Sequence, residues 1–159
     1  MGRVASPDQL RDAVRIRKDL TRTSLTPRER AVWTLSELRA RTLRVGLISD
    51  CCEAVPAAWR VSPLAAYVDV AIFSCEVGVK KPSPTIYLRA CAALGVPPDR
   101  CLYVGDGGSH ELAGAAAVGM DAVLLAVPEE AVVDPYRPEV ATWQGHTIRS
   151  LEAVVDLVE

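Results

Sequence analysis

Three polar signals in this chain each follow an apolar run. Ser49 and Asp50 close the run LRVGLISD, Lys80 and Lys81 stand in GVKKPSPTIY, and Asp106 opens GDGGSHELAG with Glu111 five residues on. Ser49 and Lys81 are 32 residues apart, and Lys81 and Asp106 are 25 apart. A serine hydroxyl and the free N–H groups beyond a strand can bond phosphate oxygens. A lysine supplies a point charge against a phosphoryl group. Two carboxylates on one loop suit Mg²⁺, which takes oxygen ligands and keeps several waters. Gly107 and Gly108 let the backbone turn sharply beside such an ion.

These side chains need a scaffold that gathers them, and the pattern supplies one. LRVGLIS (43–49), VDVAIFS (68–74), CLYVG (101–105) and DAVLLAV (121–127) read as buried strands. A short helix is expected around VPAAW. SPTIYLRACAAL (83–94) reads as a helix capped by Ser83, opened by Pro84 and ended by Gly95. A further helix is expected over 109–118, and IRSLEAVVDLV (148–158) reads as an amphipathic one. Strands alternating with helices predict an α/β fold with a parallel sheet and right-handed crossovers. In such a sheet the ligand crevice lies beyond the strand C-termini, where all three polar signals fall.

The first 42 residues differ. They hold nine arginines and no strand-like run, and LRDAVRIRKDL and TPRERAVWTLSELRAR read as two amphipathic helices, the second opened by Thr26 and Pro27. The expected division is therefore a helical segment at 1–42 and an α/β core at 43–159. The stretch VPEEAVVDPYRPEVATWQG is expected to be a loop with a helical turn.

Composition bounds the partners. The formal net charge is −2 and aromatics make up 5% of the chain, which disfavours nucleic acid. No apolar run suits a membrane span and the N-terminus has no signal-like segment, so a cytoplasmic protein is expected. The five cysteines, 51, 52, 75, 91 and 101, form no C-x-x-C and sit in or beside apolar runs, which predicts buried reduced thiols. His110 and His146 match no metal spacing.

Taken together, LISD, GVKKPSPTIY and YVGDGGSHELAGAAAVGM resemble the haloacid dehalogenase-like (HAD) hydrolase superfamily over about residues 43–127. The resemblance implies a Rossmann-like core and Mg²⁺-dependent phosphoryl transfer on a small phosphorylated metabolite. Ser49, Lys81 and Asp106 would be catalytic. Ser49, Asp50 and Lys81 would contact phosphate, and Asp106 with Glu111 would hold the metal, Glu111 directly or through water.

The superfamily also carries an earlier strand ending in D-x-D-G-T, whose first Asp attacks phosphorus. Before Ser49 this sequence offers only Asp8, Asp12 and Asp19, all in arginine-rich helical sequence. Asp50 ends an apolar strand, but its spacing to the lysine and metal motifs matches a phosphate motif rather than a nucleophile. The reading is therefore a HAD core lacking its first central strand, preceded by remnant cap helices, with weak Mg²⁺ binding and little or no activity. The missing strand belongs between those ending at Ser49 and Gly105. These two strands then close up, or a second copy or another partner covers the exposed sheet, or the fold is poorly stable. The alternative function is a non-catalytic phosphate-binding or protein-interaction remnant.

Overall fold

A computed structural model describes residues 4–127 and 137–158. Helix α1 (Pro7–Ser24) opens with a reciprocal cap: Gln9 N donates to Ser6 Oγ at 3.2 Å, and Ser6 N donates to Gln9 Oε1 at 2.8 Å. Asp8 and Asp12 pair with Arg11 and Arg15 on its exposed surface. Asp19 is exposed on the same helix.

Helix α2 (Ala31–Ala40) starts later than expected from Thr26 and Pro27. Arg30 adopts a left-handed conformation (φ 64°), which breaks any continuous helix through 27–30. Helix α2 buries Ala31 and Thr34. It packs on a 3₁₀ segment at Glu152–Leu157, and Arg41 Nη1 donates to Val155 O at 2.6 Å and Val158 O at 2.8 Å.

Strand β1 (Gly46–Ser49) is followed by α3 (Ala54–Trp59), β2 (Val70–Phe73) and the one-turn α4 (Ser74–Val77). Helix α5 (Pro84–Leu94) then leads to β3 (Leu102–Gly105), α6 (Glu111–Ala117), β4 (Asp121–Leu125) and β5 (His146–Ile148). Gly95 ends α5 in the left-handed region as expected, but Ser83 makes no side-chain capping bond.

All strand pairs are parallel. Strand β1 pairs with β2, with Ser49 opposite Phe73; β3 pairs with β4, and β4 with β5. Among the described residues these form two separate sheets, β1-β2 and β3-β4-β5, and β1 is not hydrogen-bonded to β3. The two strands expected to flank the missing one therefore do not close up.

One cluster still bridges the two sheets. Ile86, Tyr87 and Cys91 of α5 and Ala115 of α6 pack with Ile48 of β1, Ile72 of β2, Tyr103 of β3 and Ala122 of β4. Strand residues alternate between faces. Tyr103 accordingly faces α5 and α6, while Leu102 and Val104 join the opposite cluster with Val123, Ile148, Val154 and Leu38 of α2.

The expected helix over 148–158 is not formed. Residues His146–Ile148 extend the sheet instead, with Ala126 N donating to Ile148 O at 2.9 Å, and only a 3₁₀ segment follows. In β5 only Ile148 is buried, while His146 and Thr147 are exposed. The expected loop at 127–145 lies partly outside the described residues; its described end carries turns at 138–142.

Candidate functional site

The C-terminal ends of β1 and β3 place the polar residues at one lip. Strand β1 delivers Ser49 and Asp50, and β3 delivers Asp106. The loop before α5 delivers Lys81. Asp50 Oδ1 accepts the Lys81 backbone N–H at 3.1 Å, which ties this loop to the end of β1. The Lys81 side chain runs the other way: its Nζ lies 2.5 Å from Glu111 Oε2. Side-chain exposure is 12% for Lys81 and 5% for Glu111, so the pair is shielded from water.

Glu111 is the hub. Its Oε2 also accepts from Tyr103 OH at 2.8 Å, and its Oε1 accepts the N–H groups of Asp106 at 2.7 Å and Gly107 at 3.2 Å. Four donors on one carboxylate satisfy a charge that would otherwise be costly to bury. Tyr87 OH donates to the Glu111 carbonyl at 3.0 Å, anchoring the start of α6. Burial, then the nearby Glu111 carboxylate, pushes both the Tyr103 and Tyr87 phenols up, so they act as hydrogen-bond donors.

The turn after β3 is shaped for this carboxylate. A Cβ on Gly105 would lie 2.6 Å from Glu111 Cδ, inside any real contact. Gly107 takes φ +83°, and Ser109 and His110 also sit in the left-handed region. Such backbone costs on the order of 1–3 kcal/mol per non-glycine residue and persists where its surroundings hold it.

Asp106 Oδ1 accepts from Gly108 N at 3.0 Å, and Arg137 Nη2 lies 3.4 Å from Asp106 Oδ2. Burial opposes ionisation of Asp106. The Gly108 N–H, Arg137 and Lys81 outweigh it and hold the carboxyl below its ordinary value. Glu139, 4% exposed, accepts from Leu112 N and Ala113 N at 2.8 Å each, serving the first-turn N–H groups of α6.

The structure thus links Asp50, Lys81, Asp106 and Glu111 into one connected set. Ser49 sits beside it at the end of β1. Lys80 points to solvent. Tyr103, Glu139 and Arg137 belong to the same neighbourhood, and sequence reasoning missed them. Tyr103 offered a faint signal, a hydroxyl inside an otherwise apolar strand.

A metal held jointly by Asp106 and Glu111 does not fit this arrangement. Both Glu111 oxygens already accept two donors each, and Asp106 Oδ2 faces a guanidinium. Among the described residues no three His, Cys, Asp or Glu side chains converge as a metal-binding group.

A parallel α/β protein with its charged cluster at the carboxyl lip of the strands defines the class. Residues 5–119 match the family model described as haloacid dehalogenase-like hydrolase. The chain belongs to that family. It is 32% identical over 96 residues to a phospholysine phosphohistidine inorganic pyrophosphate phosphatase of Xenopus laevis, which covers 58% of this chain and 35% of the relative. It is 29% identical over 128 residues to a ribulose-1,5-bisphosphate 5-phosphatase of Halopiger xanaduensis, covering 79% of this chain and 54% of the relative. A HAD phosphatase from Thermococcus onnurineus superposes with a TM-score of 0.69 at 26% identity, over 82% of this chain and 57% of that one. The chain spans about a third to a half of the two curated relatives. No helix among the described residues is long and apolar enough to cross a membrane.

Proposed function

We propose that this chain carries the phosphate-handling lip of a HAD-type phosphatase acting on a small phosphorylated metabolite. The observation that supports this reading best is the buried Lys81–Glu111 pair at the lip shared by β1 and β3. Glu111 orients the ammonium and Asp50 holds the lysine's backbone, which supports Lys81 as the charge that would meet a phosphoryl group. Ser49 and the N–H groups following it would bond the phosphate oxygens. Asp106, kept ionised, would complete the site.

The reaction needs an attacking carboxylate. Asp8, Asp12 and Asp19 lie on the exposed surface of α1, and Asp50 is committed to the Lys81 N–H. The chain by itself is therefore expected to turn over slowly or not at all, because catalytic groups that act as a unit fail together. Its own binding of Mg²⁺ is expected to be weak.

The separation of β1-β2 from β3-β4-β5 favours a second reading, a non-catalytic phosphate-binding or protein-interaction module whose partner bridges the two sheets. An assay with Mg²⁺ on an aryl phosphate, paired with calorimetric titration of inorganic phosphate, separates the two. Turnover abolished by Asp106→Asn supports the phosphatase. No turnover, with phosphate binding weakened about tenfold by Lys81→Ala, supports the second reading. A folded protein that neither turns over substrate nor binds phosphate rejects the phosphatase and the phosphate-binding module, and leaves the protein-interaction form of the second reading.

A further inference from the structure

The cysteines do not form the uniformly buried set expected from the sequence. Cys91 is buried, Cys51, Cys52 and Cys101 are half-buried, and Cys75 is exposed. Cys51 Sγ and Cys75 Sγ lie 3.8 Å apart. The parallel register explains this proximity. Ser49 is opposite Phe73, and Cys51 and Cys75 follow at the same sequence offset of 24, two residues beyond each strand end. Ser74 braces the pair: its Oγ accepts the Cys51 N–H at 2.9 Å.

We propose that Cys51 and Cys75 form a peroxide-oxidisable dithiol that closes to a disulfide across the carboxyl ends of β1 and β2. Cys75, the exposed partner, reacts first. Its sulfur attacks one peroxide oxygen, the S–O bond forms as the O–O bond breaks, and water leaves, giving a sulfenic acid. The Cys51 thiol then attacks that sulfur. The S–S bond forms, the S–O bond breaks, and its hydroxyl leaves as a second water with the Cys51 proton. The two sulfurs together lose two electrons and the peroxide gains them.

The roles follow from the surroundings. Burial and the neighbouring Cys75 push the Cys51 thiol up to about 11, while the Ser49 hydroxyl pulls the other way. A thiol so placed is a poor first target for peroxide but a close resolving partner. Cys52 is the competing thiol. The Ala54 N–H, then Arg17, lower its value, but it is Cys51 whose sulfur lies 3.8 Å from that of Cys75. The crosslink would sit beside Ser49, so the same lip that carries the phosphate-handling residues would carry an oxidation-sensitive clasp. The thiol geometry stands whether or not that functional reading does.

The test treats the reduced, folded protein with hydrogen peroxide at mildly alkaline pH, blocks free thiols by alkylation, and maps peptides by mass spectrometry after trypsin. Residues 45–60 and 61–80 fall on separate tryptic peptides. The expected product joins them with a mass about 2 Da below the sum of the two, one hydrogen lost per sulfur. Cys52→Ser should form it like the wild type, and Cys75→Ser, at an exposed position, should abolish it. Fragment ions should place the bond on Cys51. A link that runs through Cys52 instead, or thiol loss to sulfinic acid with no joined peptide, overturns the proposal.

Discussion

Lys81 and Glu111, thirty residues apart in sequence, meet with Nζ 2.5 Å from Oε2 beneath the loop that follows β3. The pair joins two segments that arrive on different strands, and its partners are unequal. Without Lys81, Glu111 still accepts from Tyr103, Asp106 and Gly107.

That inequality predicts a ranking. Glu111→Ala leaves a shielded ammonium and two turn N–H groups without their acceptor, and should lower unfolding free energy by about 3–5 kcal/mol. Lys81→Met should cost only about 1–2 kcal/mol, since the carboxylate keeps three donors. Urea denaturation of both variants gives the comparison. Equal losses, or a larger loss for Lys81→Met, would contradict the hub role of Glu111.

Gly105→Ala probes the same carboxylate from beneath. The added methyl would meet Glu111 Cδ at 2.6 Å, so the side chain or the strand end must move. Overpacking of this kind destabilises by about 1–3 kcal/mol. Thermal unfolding should show a lowered midpoint, and in a Glu111→Ala background the same substitution should cost less, because the carboxylate it would meet is gone. A neutral Gly105→Ala would mean the turn is looser than described.

Asp106 predicts an acid limb to stability. Its folded value lies below the ordinary 3.8, so its contribution is fully present above that value and is lost as pH falls through the folded one. The stability difference between wild type and Asp106→Asn should be constant above about pH 5 and shrink below it. Denaturant titrations from pH 7 down to the acid range measure this. A difference that does not change with pH would remove Asp106 as the responsible carboxylate.

Glu139→Gln tests the tether between the turn at 138–142 and α6. The carboxylate accepts from Leu112 N and Ala113 N at 2.8 Å each. The amide can accept with one end only, so a loss of about 1–2 kcal/mol is expected. Hydrogen exchange should rise at Leu112 and Ala113 before the rest of α6. Unchanged protection at those two positions would show that the helix start does not depend on Glu139.

Much of this site was legible because β-strand geometry makes it so. An apolar run that ends in a polar residue puts that residue at the carboxyl end of a strand, and parallel pairing aligns such ends. Ser49, Asp50 and Asp106 could be located on that basis. The loop Lys81 and the helix-start Glu111 followed from their closeness to the same ends. Tyr103, Arg137 and Glu139 could not be found this way. Tyr103 reads as one more strand residue until alternation turns it toward α5 and α6. Glu139 lies 27 residues beyond Leu112, and nothing local announces that it returns to cap α6.

The order of the first four strands, the parallel α/β class and the residue types at the strand ends were set by the sequence alone, through hydrophobic periodicity and turn chemistry. The tertiary structure decided how the residues are used. It turned Glu111 into an acceptor of four donors instead of a free carboxylate. It made β5 of His146–Ile148 and a 3₁₀ segment of 152–157 where a helix over 148–158 was expected, brought Cys51 to Cys75, and left β1 and β3 in separate sheets. The physical reason is common to all four: each depends on which distant group arrives to satisfy a charge, a free strand edge or a thiol. Local sequence fixes a residue's preferences but not its long-range neighbours.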